Sequence, residues 1–298
     1  VCIASRYAGK PIRCIQNAML STPGATILKT QQQKDISVIG AGPAGLECAR
    51  IAAERGHQVT VFDAANRPGG QLALWANAPS TSELARVIDW RLDELERLGV
   101  SIYLNRMMEQ EDILDLDADA AVIATGALAS CRDFAGAAGI RVISPHELLG
   151  GLPLTAHRAL ILNEGRGQAG LAAAEELLHQ GIATEIVTSD IAVAADLDPT
   201  NRSAWYERLG RKDCLFTAAH IVDSIDAQKV TLRNVFDERL SAREEIDLIV
   251  DWPGCQANDA LINGWEAYSL EVISIGDCRA PRTVEVAISE AVAAANAL

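Results

Sequence analysis

The stretch ISVIGAGPAGLECARIAAERGHQVTVFDAANRPGGQ, residues 36 to 71, decides the fold of this chain. Its β-branched start predicts a short buried strand, and three glycines in the spacing GxGxxG follow directly, Gly40, Gly42 and Gly45. Glycines in this context permit a tight turn, a close approach of backbone to a pyrophosphate, and close packing of the next helix on the sheet. The first turn of that helix, which contains Ala44, offers free N–H groups and the positive end of the helix dipole. The stretch therefore predicts an anion site built from backbone.

The second strand of this stretch, Val59–Phe62, is followed by an acid, Asp63, which lies 18 residues beyond Gly45. An acid at this place accepts hydrogen bonds from the ribose of an adenosine group. GxGxxG alone is a weak signal, and a glycine-rich turn without a ligand is the alternative interpretation. Here, however, strand, turn, helix, second strand and acid stand in register. Together they predict a site for an adenine dinucleotide or a fragment of one.

Composition and charge narrow the class of protein. The chain has 298 residues, of which 49% are hydrophobic and 22% charged, as expected for an α/β protein of about two domains. A net charge of −14 without any cluster of Lys and Arg argues against nucleic acid or an anionic membrane surface as a partner. No apolar run reaches the roughly 18 residues of a membrane span, and no signal peptide is visible. We expect a cytoplasmic protein.

The cysteines and histidines carry no motif of their own. The seven cysteines are odd in number and scattered, and no CxxC is present, which argues against a disulfide framework and against a redox dithiol of the thioredoxin-reductase kind. The five histidines show no spacing typical of metal ligands and are not expected to be catalytic: His57, His146, His157, His179 and His220.

A second copy of the strand, turn, helix and strand pattern begins near residue 158. Strand Ala159–Leu162 precedes the sequence GRGQAG at residues 165–170, and a helix and the strand Thr184–Thr188 follow. The third glycine and the glycine that ends the helix are 11 residues apart in both copies, at 45 and 56 and at 170 and 181. The spacing indicates an internal repeat of the nucleotide-binding unit.

This second copy departs from the first in two places. Asn163 and Glu164 separate the strand from the first glycine, and a carboxylate there repels phosphate. The position that matches Asp63 is Thr188, and Asp190 is a poor substitute for the missing ribose acid. Two interpretations stay open: the repeat binds a nicotinamide nucleotide, or it has kept the fold and lost the ligand.

Near the end of the chain, the strand Leu270–Ile275 runs into Gly276 and Asp277, and a helix, Val284–Ala297, follows. An acid at a strand end beside a helix N-terminus can hold the ribityl hydroxyls of a flavin while the helix dipole faces its pyrophosphate. An ATG turn at residues 124–126, with Thr125 and Gly126, supports this interpretation.

The predicted fold class is α/β, with two dinucleotide-binding, Rossmann-like, FAD/NAD(P)-binding domains, the second inserted in the first. Residues 1–34 are interpreted as an extended lead-in and linker, and residues 140–153 as a crossover between domains. The predicted FAD- or ADP-binding domain comprises residues 35–150 and 262–298. Residues 151–261 form the NAD(P)H-binding-like domain, which is partly degenerate.

GAGPAGLE, Asp63, PGGQ, ATG and IGDCRAPRTVEVAISEA, in this order, resemble the flavoproteins with two dinucleotide-binding domains. CIASRYAGKPIRCIQNA, residues 2–18, resembles the end of the iron–sulphur motif of the multidomain old-yellow-enzyme-like oxidoreductases, the 2,4-dienoyl-CoA reductase and trimethylamine dehydrogenase family. The resemblance covers essentially the whole chain.

The resemblance implies a complete protein in which an N-terminal (β/α)8 barrel carries FMN and four cysteines hold a [4Fe–4S] cluster. In such proteins the C-terminal half binds FAD or only ADP. Cys2 and Cys14 would then be the third and fourth cluster ligands, for which thiolates are expected. Because the chain opens at Val1 without methionine, we expect a fragment that lacks the barrel.

Carried over onto this sequence, the family pattern assigns a set of cofactor-binding residues: Gly40, Gly42, Ala44, Gly45, Asp63, Gly70, Gln71, Thr125, Gly126, Gly276 and Asp277. Trp75 is interpreted as a wall of the flavin site or, more often for such a residue, as core. Five cysteines match no family ligand and are interpreted as thiols without a role: Cys48, Cys131, Cys214, Cys255 and Cys278.

The resemblance implies an oxidoreductase that passes electrons between NAD(P)H or an electron-transfer flavoprotein and the barrel-bound FMN, which acts on an enoyl or N-methylated amine substrate. No catalytic residue is expected in this part, and we do not expect it to be active alone. The alternative is a non-catalytic ADP- or FAD-binding scaffold and docking module of an amine dehydrogenase. A stand-alone electron-transfer subunit, a homo-oligomer, and the choice between NADH, NADPH and neither also stay open.

Overall fold

The structure is a computed structural model that describes residues 2–21, 26–137, 139–165 and 167–298, without the side chains of Cys2 and Ser21. The chain divides into two compact units. Unit 1 comprises Val1–Ala73, Glu83–Leu128 and Gln256–Leu298, and unit 2 comprises Leu74–Ser82 and Ala129–Cys255. Each described helix is too short or too polar to cross a membrane.

The helices are α1 (Cys2–Tyr7), α2 (Ala18–Ser21), α3 (Pro43–Arg55), α4 (Gly70–Trp75), α5 (Ala85–Arg97), α6 (Gln110–Leu114), α7 (Pro145–Leu149), α8 (Ala169–His179), α9 (Pro199–Gly210) and α10 (Val284–Ala297). The strands are β1 (Asp35–Ile39), β2 (Gln58–Phe62), β3 (Ser101–Tyr103), β4 (Ala120–Ile123), β5 (Ala127–Ala129), β6 (Arg141–Ile143), β7 (Arg158–Asn163), β8 (Ala183–Val187), β9 (Leu215–Thr217), β10 (His220–Asp226), β11 (Lys229–Asn234), β12 (Leu240–Arg243), β13 (Leu248–Trp252), β14 (Cys255–Ala257) and β15 (Glu271–Ser274).

Unit 1 is built on a five-stranded parallel sheet in the order β15-β4-β1-β2-β3. The central strands β1 and β4 are apolar and buried along nearly their whole length, as expected for parallel strands covered on both faces. α3 follows β1 directly and packs against α10. Gly56 ends α3 because its φ of 107° lies in the left-handed region that favours glycine. The strand order brings the carboxyl ends of β1, β2 and β4 to one edge.

Unit 2 repeats this plan with a parallel sheet in the order β6-β13-β7-β8-β9. Successive residues of β7 face opposite sides of the sheet, as strand geometry requires. Ala159 and Ile161 pack in a core cluster with α8, whereas Leu160 and Leu162 pack with Val230 and other apolar residues of the antiparallel sheet β10-β11-β12. Two short strands, β5 and β14, pair with each other. The predicted α/β class with two nested Rossmann-like units is confirmed.

Two segments differ from their sequence-based interpretation. Within residues 1–34, which were expected to be extended, the described part contains α1 and α2. Residues 140–153 contain β6 and α7 rather than only a crossover. Pro145 is the first residue of α7, where its missing N–H costs nothing. The N-cap Ser144 and Glu147, in the first turn of the helix, form a capping box. α5 begins at Ala85, directly after a 3-10 turn, Pro79–Leu84.

Candidate functional site

The glycine turn of unit 1 is shaped by close approaches of backbone. Gly40 has a φ of 115°, and a Cβ atom there would lie 2.2 Å from the carbonyl oxygen of Ala124. A Cβ atom on Gly45 would lie 1.8 Å from the carbonyl oxygen of Gly40. Both glycines are therefore required by the fold. Gly42 differs, because a Cβ atom there would meet nothing within 4 Å, so its outer side faces open space.

Gly42 is also the N-cap of α3, and no side chain caps this helix. The first-turn N–H groups of a helix without such a cap are free to bind an anion, and the helix dipole favours it. Ala44 lies buried in this first turn, on the side away from solvent. The turn thus keeps the features needed to bind a pyrophosphate.

Asp63 closes the other side of this turn. One of its carboxylate oxygens, Oδ2, accepts the backbone N–H of Ala41 at 2.5 Å, and Oδ1 accepts that of Ala65 at 2.7 Å. Two backbone bonds hold the carboxylate at the end of β2 beside the glycine turn. Each carboxylate oxygen has a second acceptor position, so the group can still receive hydroxyl donors.

The PGGQ segment folds back onto the same turn. The N–H of Gly69 donates to the carbonyl of Ala41 at 2.7 Å. A Cβ atom on Gly70 would lie 3.3 Å from Cα of Gly42, which shows how close the two backbones come. The Gln71 side chain donates through Nε2 to the carbonyl oxygen of Ala127 at 2.9 Å. These contacts place the segment over the mouth of the turn.

The ATG turn and the Gly-Asp pair lie on the same edge of the sheet. The Thr125 hydroxyl donates to the carbonyl of Asn258 at 2.7 Å, and the carbonyl of Gly126, whose φ is 74°, accepts the N–H of Asn258 at 3.0 Å. A Cβ atom on Gly276 would lie 3.1 Å from the Cβ of Ala44. The Gly-Asp pair therefore lies against the first turn of α3, beside the glycine turn.

Asp277 is held in place by its own turn. Its Oδ1 accepts the backbone N–H of Arg282 at 2.9 Å, and burial raises the pKa of its carboxyl group. Glu290, on α10, accepts the N–H of Gly276 at 2.8 Å and pairs with Arg282 and Arg279. Sequence reasoning missed Glu290, because nothing in its local pattern distinguishes it from a solvated helix residue.

The predicted cluster ligand Cys14 lies in a segment attached to unit 1. Its sulfur accepts the backbone N–H of Asn17 at 3.3 Å. Arg13 forms an ion pair with Glu285 of α10. The side chain of Cys2 lies outside the described residues. In the part of the chain that the structure describes, no group of three or more His, Cys, Asp and Glu side chains could hold a metal ion.

A buried ion-pair network supports this segment, and sequence reasoning missed it too. Arg91 of α5 is fully buried and pairs through Nε with Oε2 of Glu47 in α3 at 2.7 Å. Its Nη1 donates to the carbonyl of Val87, and its Nη2 donates to the carbonyl of Ile15, next to Cys14, at 2.9 Å. The second oxygen of Glu47 pairs with Arg50 at 2.6 Å.

The second glycine turn, in unit 2, is built differently. Glu164 accepts the backbone N–H of Ser189 at 3.0 Å and the hydroxyl of the same serine. The N–H of Gly167 donates to Oδ2 of Asp196 at 2.7 Å. Arg166 lies outside the described residues. Trp252 packs over the turn, since a Cβ atom on Gly165 would lie 2.5 Å from its indole nitrogen.

The tryptophan, cysteine and histidine residues considered in the sequence analysis include several that lie in packed, buried surroundings. Trp75 packs against the core of unit 2. Burial raises the pKa of the Cys48 and Cys214 thiols to about 12, so both are inert. His146 lies against Trp252 with ring centroids 5.5 Å apart, and burial lowers its pKa.

Residues 34–272 match the family model described as pyridine nucleotide-disulphide oxidoreductase. The chain belongs to this family. It has the fold of the FAD/NAD(P)-binding module of multidomain flavin oxidoreductases, and the resemblance to the old-yellow-enzyme-like iron–sulphur flavoproteins is confirmed.

Two curated relatives show how similar the chain is to known proteins and how much of each protein it covers. The chain is 34% identical over 228 residues to a protein named probable N-methylproline demethylase from Rhizobium meliloti (strain 1021), covering 76% of this chain and 34% of that protein. It is 30% identical over 337 residues to N,N-dimethylglycine/sarcosine dehydrogenase from Chromohalobacter salexigens, covering 97% of this chain and 48% of the relative. The chain thus spans half or less of these relatives.

Solved structures agree with the family fold. Histamine dehydrogenase from Rhizobium sp. 4-9 superposes with a TM-score of 0.89 at 24% identity, over 100% of this chain and 50% of that chain. Thioredoxin reductase from T. acidophilum superposes with a TM-score of 0.63 at 16% identity, over 90% of this chain and 98% of the other. The match to a whole thioredoxin reductase supports two nested nucleotide-binding domains.

Proposed function

We propose that this chain is the adenine-nucleotide-binding part of a flavin-dependent oxidoreductase that acts on an N-methylated amine, and that unit 1 holds FAD or ADP. The observation that carries the proposal is Asp63. Its carboxylate is fixed by the N–H groups of Ala41 and Ala65 beside the uncapped start of α3. A pyrophosphate at the helix start and a ribose at the acid are the groups that this arrangement suits.

The residues present in unit 1 fit an adenine dinucleotide. Gly42 leaves room for a phosphate, since a Cβ atom there would meet nothing within 4 Å. Gly276 and Asp277 lie beside the same turn and would hold the ribityl chain if the nucleotide is FAD. FAD, when bound, would supply redox chemistry, and the protein would supply position and electrostatics.

The amine class is supported by the names of relatives, which include a demethylase and a dehydrogenase of N-methylated amino acids. In the complete protein, a barrel-bound FMN and a [4Fe–4S] cluster, with Cys2 and Cys14 among its ligands, would carry out substrate oxidation and electron transfer. The N–H group that Asn17 donates to the Cys14 sulfur suits a thiolate ligand. The partners would be the barrel and an electron-transfer flavoprotein.

A second candidate role is a scaffold in which the bound nucleotide is ADP and takes no part in electron transfer. The second glycine turn favours it, because the carboxylate of Glu164 lies in that turn and would repel the phosphates of a nicotinamide dinucleotide at such a site. A chain without such a site does not require a flavin in unit 1.

The test is to denature the purified chain and identify the released nucleotide by chromatography and mass spectrometry. We expect about one adenine nucleotide per chain, and none from a Gly42→Ala variant that folds normally. FAD supports the redox role and ADP supports the scaffold. If neither is released, and neither is retained after incubation with each and gel filtration, the proposal is wrong.

A further inference from the structure

We infer that Glu290 positions the Gly-Asp pair, Gly276 and Asp277, for the flavin half of FAD, so that it strengthens the binding of FAD and not that of ADP. This role rests on the proposed function, in which unit 1 holds an adenine nucleotide, and it commits that site to FAD. Glu290 is a positioning residue in this role, because it acts on the nucleotide through the Gly-Asp pair and need not touch it.

The strand order places the Gly-Asp pair on the flavin side of the proposed nucleotide site. Asp63 follows β2, α3 begins after β1, and the Gly-Asp pair follows β15, in the order β15-β4-β1-β2-β3. Neighbouring strands lie about 4.8 Å apart, so the ends of β2 and β15 are separated by roughly 14 Å. A nucleoside diphosphate that extends from Asp63 to the start of α3 therefore lies over β2 and β1. Only a longer molecule such as FAD extends past its phosphates to Asp277.

Glu290 supplies the hydrogen-bond acceptor that Gly276 needs. Gly276 is buried with a φ of 73°, and a Cβ atom on it would lie 3.1 Å from the Cβ of Ala44. Its N–H donates to Oε2 of Glu290 at 2.8 Å. A buried N–H that loses its acceptor destabilises the conformation that buries it. Glu290 therefore fixes the backbone of the Gly-Asp pair against the first turn of α3.

The other carboxylate oxygen of Glu290 holds the residue that orients Asp277. Oε1 accepts Nη2 of Arg282 at 2.7 Å and Nη1 of Arg279 at 3.3 Å. The backbone N–H of Arg282 in turn donates to Oδ1 of Asp277 at 2.9 Å. One carboxylate thus connects both members of the Gly-Asp pair, Gly276 through its N–H and Asp277 through Arg282.

This arrangement leaves Asp277 able to bind a ligand. Each carboxylate oxygen has two acceptor positions, so Asp277 can receive the hydroxyl groups of a ribityl chain while Arg282 holds it. A loop that is already fixed in its binding conformation loses less conformational freedom when the ligand binds, and this raises the affinity. ADP has no ribityl chain and gains nothing from an ordered Asp277.

The charge of Glu290 is offset by its partners. Its side chain is 19% exposed and lies against the guanidinium groups of Arg279 and Arg282, so the three side chains together are cationic. Loss of Glu290 would free both arginines, which would attract the phosphates of ADP and of FAD alike. The order of the Gly-Asp pair, in contrast, affects FAD alone. The ratio of the two affinities therefore separates positioning from charge.

Isothermal titration of the nucleotide-free chain with FAD and with ADP tests this role. We expect Glu290→Ala to weaken FAD binding relative to ADP binding by about tenfold or more, as for the loss of a hydrogen bond to a charged group. Glu290→Gln should lie between, since its amide oxygen can still accept the N–H of Gly276. Glu285→Ala is the matched control, because Glu285 lies on the same helix and pairs with Arg13. It should keep the affinity ratio of the unmodified chain.

A double-mutant cycle with Asp277→Ala shows whether Glu290 acts through the Gly-Asp pair. Substitutions within one hydrogen-bond network are not additive. We expect Glu290→Ala to weaken FAD binding less in the Asp277→Ala chain than in the unmodified chain. Full additivity of the two substitutions overturns the positioning role.

The outcomes distinguish the role of Glu290 from the proposed function. If the unmodified chain binds neither nucleotide, the proposed function is wrong and the role of Glu290 falls with it. If the chain binds ADP and not FAD, or if Glu290→Ala changes both affinities to the same extent, the proposed function stands and the role of Glu290 is overturned. If Glu290→Ala does not fold, as judged by circular dichroism, an unchanged affinity ratio in Glu290→Gln overturns it.

Discussion

The carboxylate of Asp63 accepts the backbone N–H of Ala41 at 2.5 Å, which ties the end of β2 to the glycine turn of unit 1. The bond orders the turn, and under the function proposed above it also fixes the acid that would hold the ribose. A hydrogen bond to a charged group contributes roughly 1.5–3 kcal/mol. The charge of Asp63 should therefore matter for binding more than its shape does.

We expect Asp63→Asn to lower the affinity for ADP and for FAD by at least about tenfold, because a neutral amide is a weaker acceptor for ribose hydroxyls. Isothermal titration of the nucleotide-free chain measures the change. Asp89→Asn, on the exposed face of α5, is the control and should bind like the unmodified chain. Equal affinity for Asp63→Asn would show that the acid is structural only.

Alanine variants at Gly42 and Gly45 should distinguish an effect on ligand binding from an effect on folding. Alanine at Gly45 would place a Cβ atom 1.8 Å from the carbonyl oxygen of Gly40, so we expect a loss of about 1–3 kcal/mol or more in the free energy of unfolding. Alanine at Gly42 meets nothing within 4 Å, so this variant should fold normally but retain no nucleotide. Urea unfolding and nucleotide retention measure the two effects. Equal stability of both variants would contradict the steric explanation.

The ion pair of Arg91 with Glu47 should be costly to break. Arg91→Met leaves the buried carboxylate of Glu47 with one cation fewer, and breaking a buried pair costs about 3–5 kcal/mol. We expect this order of loss in urea unfolding, with partial recovery in the double variant Arg91→Met, Glu47→Gln. Arg97→Met, on the exposed side of the same helix, is the control and should change little.

Arg91→Met should also loosen the segment around Cys14, because Arg91 donates to the carbonyl of Ile15. We expect faster alkylation of Cys14 in Arg91→Met, measured by peptide mapping. Cys48, which is fully buried, reports on global unfolding and should stay unreactive. If both cysteines react faster to the same degree, the effect is general unfolding and the local role of Arg91 is contradicted.

Stability should fall at acid pH because of His146. Burial lowers its pKa in the folded state, so the unfolded chain takes up a proton first as the pH falls. The contribution of neutral His146 to the free energy of unfolding is complete above the ordinary histidine pKa of 6.5. It is lost as the pH drops below that value. Each unit of pKa difference corresponds to about 1.4 kcal/mol.

Urea unfolding between about pH 7.5 and pH 5.5 measures this effect. His146→Gln should reduce the slope of stability with pH. Burial and the charges of Arg55 and Lys34 lower the pKa of His57, in unit 1, as well. A His57→Gln variant therefore measures how much of the pH dependence of stability comes from His57 rather than from His146. An unchanged slope in His146→Gln would mean that His146 is protonated equally in the folded and unfolded states.

The local elements of both units could be predicted because short-range physics determines them. α3 ends at the predicted glycine, Gly56, and β1 and β2 agree with prediction to within one residue. Glycine is required where backbone meets backbone, and a strand buried on both faces has an apolar sequence. The same reasoning placed the predicted nucleotide-binding residues, from Gly40 to Asp277, in unit 1.

Short, marginal elements were not predictable in this way. α1 and α2 within residues 1–34, and β6 and α7 within residues 140–153, are only three to six residues long. Such elements depend on tertiary packing more than on their own propensity. Proline and glycine in residues 140–153 suggested a loop, whereas Pro145 starts a helix.

The amino-acid sequence by itself determined the repeat, the glycine turns and the acid at the end of β2, because each depends on residues adjacent in the chain. Only the tertiary structure decided that Asp196 faces Gly167, that Glu290 holds Gly276, and that Arg91 reaches Ile15. These partners lie far apart in sequence, and a side chain's choice among many polar groups depends on how helices and loops pack. For that reason the sequence left the second site open.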